Sequence, residues 1–390
     1  MSRLTRPAFV TLLLLAAANV AAAVMLSAWR PFRAIDLVTV WNWCRGWLDG
    51  RDLYRLADSV TNYPPYGIVW LAPIAFLPVS ELLPSWIVLN VVLALATAIL
   101  VARTIANPPP ARTATAVLLF LCWACVRNLL QFSMLSMALA FLAILWVEAP
   151  VVSGAALALA LVKPHIAVPV ALALAGARRL RPVVTAALLT MAGTALYAWH
   201  VHTTMETATY EYFRVLERMY TGPGALYGRT SLQSWIVSAA GARWGDPISI
   251  AIAMGLLVFT GALALATRPH ADPARTAIVR AMFCVWALLS VFQLAHNFVL
   301  FLPAFMTLVL IDHAPTRRPR YAVAGVMTAA LTVDLPVRLA PALQPGWLLT
   351  IVNNLDRLLA CVTFVYLAVL WTRLSAGDTA VAQAAVPRQP

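Results

Sequence analysis

The chain has 390 residues, of which 62% are apolar and 11% charged, with a mean hydropathy of +0.82 and a formal net charge of +13. So little polar surface excludes a water-soluble globular fold and makes the bilayer the solvent. The positive charge is spread over the ends of apolar runs rather than gathered in a basic domain, which argues against nucleic acid and for anionic lipid head groups as partners.

A helix rises about 1.5 Å per residue, so crossing a hydrocarbon core about 30 Å thick takes roughly 20 apolar residues. About twelve spans are expected on that measure. They fall near Phe9–Ser27, Tyr66–Val79, Leu83–Val101, Thr113–Val126, Leu129–Val147, Val152–Ala175, Val183–Val201, Ile248–Thr267, Ala277–Phe292, Phe298–Ile311, Ala322–Leu339 and Trp347–Trp371. Tyr66–Val79 and Thr113–Val126 are short for a crossing and read as tilted, broken or partly re-entrant. Arg3, Arg6 and the apolar run behind them have the layout of a secretory leader, but the run continues to Ala28 and reads as an uncleaved first span.

Arginines set the orientation. Arg178, Arg179 and Arg181, then Arg268 and Arg275, then Arg317, Arg318 and Arg320 fall in alternate connections, and short basic loops stay in the cytoplasm. Both termini are then cytoplasmic in a plasma or inner membrane, and two hydrophilic loops, 30–65 and 202–247, face outward. The expected architecture is an all-α, polytopic transmembrane bundle. One domain covers 1–372, and a polar tail, expected to be disordered, covers 373–390.

Cys44, Cys122, Cys125, Cys284 and Cys361 are scattered, and the C-x-x-C at Cys122 and Cys125 lies in an apolar run without a second ligand pair. It reads as packing rather than as a zinc or redox site. The sequence carries no Gly-rich phosphate loop and no H-E-x-x-H element.

The first outer loop is the informative stretch. It reads Ala34-Ile-Asp36-Leu-Val-Thr-Val-Trp41-Asn-Trp-Cys-Arg45-Gly-Trp-Leu-Asp49-Gly50-Arg-Asp52-Leu-Tyr54, then Thr61-Asn62-Tyr63-Pro64-Pro65-Tyr66. An aspartate just after the first span, a helix leading to G-x-D-x-Y, and Y-P-P opening the next span resemble glycosyltransferase family 87. Later elements follow in order: Gln131 at the start of a span, the pair Lys163-Pro164, the stretch Gly228-Arg229-Thr230-Ser231-Leu232, and His296.

The resemblance implies a GT-C membrane enzyme that takes a sugar from a polyprenyl-phosphate donor. Mannose is the first expectation and arabinofuranose the second. It implies inversion at the anomeric carbon with no metal and no cofactor, and a lipid or glycan acceptor at the outer face. Under it, Asp36 is the catalytic residue, and Lys163, His296, Asn297, Gln131, Tyr63, Asp52 and Ser231 hold donor phosphate or substrate.

The residues have their own chemistry beside that likeness. A carboxylate at the outer mouth of a bundle can accept the proton of an attacking hydroxyl, and Asp36 is the first in its loop. Asp49 reads as part of a turn with Gly50, while Asp52, between Arg51 and Arg55, reads more readily as a structural contact. Trp41, Trp43 and Trp47 fit a short helix at the membrane surface. Lys163 is the only lysine in the chain and lies in an apolar run, where an ammonium must find a carboxylate, a phosphate or water. His165 reads as a packed polar residue, and His296 with Asn297 as an outer turn able to hold a phosphate. The rival readings are a lipid or solute transporter, weakened by the lack of an internal repeat, and a non-catalytic membrane scaffold.

Overall fold

The structure, a computed structural model, describes residues 5–29, 35–56, 60–105, 108–221, 236, 242–267, 272–290, 295–311, 317–333, 355 and 357–374. These residues are helical without any strand. The elements are α1 (Arg6–Trp29), α2 (Ile35–Leu48), α3 (Pro65–Leu71), α4 (Val79–Arg103), α5 (Pro110–Leu121), α6 (Ser133–Leu145), α7 (Pro150–Ala160), α8 (Pro164–Gly176), α9 (Leu180–His200) and α10 (Met205–Thr221). They continue with α11 (Ala242–Ala266), α12 (Pro273–Ser290), α13 (Leu302–Leu310), α14 (Arg317–Val333) and α15 (Arg357–Leu374). Single 3-10 turns precede α4, α6 and α13, at Ala72–Phe76, Ala124–Arg127 and Ala295–Phe301.

Among the described residues, 6 helices are long and apolar enough to cross a membrane: α1, α4, α9, α11, α12 and α15. About twelve spans are not confirmed among the described residues, where several apolar runs are broken, including Tyr66–Val79 and Thr113–Val126, which were expected to be tilted, broken or partly re-entrant. The run Val152–Ala175 is two helices. Lys163 precedes Pro164, whose ring disfavours helical backbone in the residue before it, and Lys163 adopts φ −116°, ψ 86°. The chain then reverses. Ser136 Oγ donates to Ala160 O and Ser153 Oγ to Ala143 O, both at 2.6 Å, which sets α7 antiparallel to α6. An Arg179–Glu148 ion pair at 2.9 Å ties the chain just beyond the C-terminal ends of α8 and α6. So α6, α7 and α8, of 13, 11 and 13 residues, form a zigzag. Each leg is about 16–20 Å long, short of the roughly 30 Å a crossing needs.

Two other runs also break. Tyr66–Val79 is α3 followed by the 3-10 turn, and Trp41 Nε1 donates to Leu77 O at 2.9 Å, returning the far end of the run to α2. In Thr113–Val126, α5 stops at Leu121 and a 3-10 turn takes over at Ala124. The expected outer loops are largely helical where described, as α2 and α10. The Schellman motif after α2 explains its end: Gly50 at φ 80° lets Arg51 N reach Gly46 O at 3.0 Å and Gly50 N reach Trp47 O at 2.8 Å. Arg317–Arg320 is the first turn of α14 rather than a loop.

Every helix that ends inside such a bundle leaves carbonyls without partners, and arginines supply several of them. Arg320, fully buried, donates to Leu308 O and Ile311 O at the end of α13. Arg280 donates to Thr104 O just past α4, and Arg127 to Thr332 O near the end of α14. A guanidinium also complements the negative end of each helix dipole.

The segment carrying Tyr63-Pro64-Pro65 is seated by close backbone contact. A Cβ on Gly193 of α9 would lie 2.8 Å from Tyr66 Cβ and 3.2 Å from both Tyr66 Cα and a Trp70 ring carbon. Tyr66 in turn donates its hydroxyl to Leu161 O, at the α7–α8 break, at 3.1 Å. Gly193→Ala should therefore destabilise the protein by about 1–3 kcal/mol, the usual cost of overpacking. Gly255→Ala, where a Cβ meets nothing within 4 Å, is the control. Melting temperatures in detergent compare them, and equal values would refute the tight seat of α3 on α9.

Candidate active site

The α7–α8 break puts a cation into an apolar core. Lys163, 5% exposed, donates from Nζ to Gln131 Oε1 at 3.0 Å and to Ser133 Oγ at 3.1 Å. The Ser133 hydroxyl in turn donates a hydrogen bond to Asn297 Oδ1 at 3.1 Å, and the Asn297 side chain also reaches the His165 imidazole. This polar chain joins the start of α6, the start of α8 and the 3-10 turn before α13. An ammonium has three N–H donors, and two of them go to neutral acceptors. The arrangement holds the cation without neutralising it, which leaves its charge able to act on an anionic ligand.

Asp36 lies in the first turn of α2 and is exposed. Partial loss of water around its carboxyl holds its pKa above the ordinary carboxylate value, while the Lys163 ammonium acts in the opposite sense. Burial first, and the Asp36 carboxylate second, keep the Tyr63 phenol protonated far above its ordinary range. Asp36, Lys163 and Tyr63 thus share one electrostatic environment.

An aromatic bracket holds α2 in that position. Trp43 meets Tyr63 at 5.9 Å between ring centroids, Tyr63 meets Phe132 at 5.7 Å, and Trp86 meets Phe132 at 4.6 Å. Trp47 is buried against Tyr197 and His200 of α9. The Tyr54 hydroxyl donates to Tyr63 O at 2.6 Å. The tryptophans of α2 therefore pack inward as well as along a surface. Asp52 belongs to this support: its Oδ1 accepts from Tyr54 N at 3.2 Å and from the Tyr197 hydroxyl at 3.4 Å, and Arg55 lies 3.6 Å from Oδ2.

Of the residues expected in a site, Asp36, Tyr63, Gln131, Lys163 and Asn297 come together here. Asp52 stands in the neighbouring bracket. Ser231 lies outside the described residues, as does the side chain of His296, whose backbone is in the 3-10 turn Ala295–Phe301. Ser133, not among the residues expected from the sequence, joins this polar chain through Lys163 and Asn297. The available signal was a small hydroxyl two residues beyond Gln131 at the head of an apolar helix. His165, read as packing, is a member of the polar chain, and its Nε2 is buried without a hydrogen-bond partner.

The model of glycosyltransferase family 87 matches residues 61–303, more than half of the chain. The matched stretch includes Tyr63, Gln131, Ser133, Lys163, His165, Ser231, His296 and Asn297, and begins after Asp36 and Asp52. Searches of curated proteins and of solved structures returned no match. A buried cation framed by polar side chains, an exposed carboxyl within its field, a helical bundle with membrane-length apolar helices and this match agree with one another, and the chain belongs to glycosyltransferase family 87.

Proposed function

We propose that the protein transfers a sugar from a polyprenyl-phosphate donor to a lipid or glycan acceptor at the outer face of the plasma or inner membrane, with Asp36 as general base. Mannose is the favoured sugar and arabinofuranose the alternative. The observation that supports this reading is the buried Lys163 ammonium held by the neutral Gln131 and Ser133, with Asp36 of α2 acting on it through space. One group can take a proton and the other can stabilise a leaving anion, and an inverting transfer needs both.

In this mechanism an acceptor hydroxyl gives its proton to the Asp36 carboxylate as its oxygen attacks the anomeric carbon. The bond from that carbon to the phosphate oxygen breaks on the opposite side, and the electron pair leaves with the lipid phosphate. Lys163, held by Gln131 and Ser133, stabilises the charge that develops there. Asn297 orders the chain through Ser133 and His165, and His296 and Ser231 are further candidates for donor contact. Tyr63, protonated and beside Asp36, can donate a hydrogen bond to an acceptor or sugar oxygen.

Asp36→Asn keeps the size of the side chain but cannot accept a proton near neutral pH. It should lower transfer from radiolabelled donor by about 10²–10⁴-fold with donor binding retained. Asp49→Asn, in the turn just past the other end of α2 and in an exposed contact with Arg45 at 3.7 Å, should keep most activity. Full activity in Asp36→Asn would refute the base assignment, and equal loss in both would assign the effect to the folding of this segment.

The pH dependence follows from the same carboxyl. A base acts only when deprotonated, and desolvation raises the Asp36 pKa. Activity should therefore fall, as pH is lowered, at a higher pH than an ordinary carboxylate of about 3.9 would give. A kcat/KM profile of the wild type measures this acid limb, and a limb at the ordinary value would contradict the assignment.

Lys163→Gln retains hydrogen-bonding capacity and removes the charge. It should raise the donor KM or lower kcat by at least about tenfold, while sparing the binding of a neutral acceptor. Unchanged donor kinetics in a folded variant would remove Lys163 from the donor site.

A further inference from the structure

At the opposite end of the α6–α7–α8 zigzag lies a second cationic site. A cavity of about 190 Å³ opens among the C-terminal ends of α6, α8 and α11 and the first turns of α12. Its polar wall is Glu148, Arg179, Thr267, Thr276 and Arg280, and Ile144, Val147, Leu174, Ala264 and Val279 are among the apolar side chains that complete it.

The charges in this cavity do not balance. Arg179 pairs with Glu148 at 2.9 Å, and the Glu148 side chain is 76% exposed against 30% for Arg179, so the carboxylate hangs at the rim. Arg280 makes one hydrogen bond, to Thr104 O at 3.3 Å, and no ion pair among the described residues. A guanidinium carries five N–H donors in a planar fork, so capping α4 uses a small part of what Arg280 offers. A cation kept beside apolar walls favours an anionic partner.

The rim is fixed rather than loose. Trp371 Nε1 donates to Thr267 Oγ1 at 3.0 Å, and Arg275, ion-paired with Asp272 at 2.8 Å, lies 5.4 Å from the Trp371 ring centroid. Gly176 lets α8 touch α11, since a Cβ there would come within 2.7 Å of Ala264 Cβ. Among the described residues the Arg179–Glu148 pair is neutral overall, and Arg280 is the cavity cation without an ion pair.

We propose that this cavity binds the phosphate of an anionic phospholipid from the leaflet at the arginine-rich end of the bundle, a site separate from the Lys163 cluster. Arg280 and Arg179 offer N–H groups to the phosphate oxygens in the geometry that suits a guanidinium. The apolar walls receive the carbon skeleton behind it. That mixture of one polar wall and several apolar ones fits an amphiphile better than a free ion. Such arginines near short connections meet the negative potential of a cytoplasmic leaflet.

The experiment uses the purified full-length protein in neutral detergent. Its melting temperature is recorded with phosphatidylglycerol, with phosphatidylcholine and with inorganic phosphate. Phosphatidylglycerol should raise it by about 3 °C at saturation, and the other two should leave it within error. Arg280→Gln, which can still donate to Thr104 O, and Ala177→Phe, which fills the cavity without altering charge, should each lose most of that rise. Ala177 lines the cavity at the end of α8, so this variant keeps the test decisive if Arg280→Gln fails to fold. An equal rise with phosphatidylcholine would overturn recognition of charge. An equal rise with inorganic phosphate would overturn the lipid as source, and a full rise retained in Ala177→Phe would overturn the site.

Discussion

An ammonium inside an apolar helix bundle is costly unless hydrogen-bonding groups replace the water it has lost, and the core near Lys163 is organised around that requirement. Gln131 and Ser133 are brought to Lys163 from the head of α6, 32 and 30 residues away in sequence. Neither carries charge, so the cation is solvated without being cancelled. A carboxylate in direct contact would have made a stable pair with nothing left for a ligand. Among the described residues, Asp36 is the carboxylate that acts on Lys163 through space.

Placing that cluster requires helices that stop partway. A continuous span through Val152–Ala175 would have carried Lys163 past the head of α6 on a straight rod. Pro164 breaks the run, and α7 and α8 become a hairpin packed beside α6 with the polar groups at its bend. Broken helices leave carbonyls unpaired where there is no water to take them. Tyr66 covers Leu161 O at this break, and Arg320, Arg280 and Arg127 cover carbonyls at the ends of other helices. The cationic content of this chain is therefore partly an answer to its interrupted architecture.

The two ends of the zigzag contrast. At one end, a buried cation lies among neutral polar side chains, with aromatic rings packed nearby. At the other, Arg179 and Arg280 flank a cavity with one rim carboxylate. The legs between them are apolar and tightly packed: Ala140, Ala143, Leu157, Ala160, Ile166 and Ala167 are almost wholly buried. Small side chains let these legs approach closely, which in a bilayer favours association through packing in place of a hydrophobic drive.

Hydropathy and composition settled the membrane class and the all-helical architecture, because both depend on how many apolar residues follow one another. The ordered motifs from Asp36 to His296 pointed to the family that the match over residues 61–303 establishes. Lys163 stood out as the only lysine, and Asp36 as the first carboxylate of its segment. The shortness of Tyr66–Val79 and Thr113–Val126 signalled their breaks, but the reversal within Val152–Ala175 was not legible, since a hydropathy window reads it as uniform and the turn depends on contacts such as Ser136 with Ala160 and Ser153 with Ala143. The partners of Lys163 were equally hidden. Gln131 and Ser133 were visible as residues, but only helix packing decides which distant polar groups meet a buried cation. The roles of Arg280 and Arg320 follow the same rule, because a helix end needs a partner in space and the sequence does not say which arginine will be beside it.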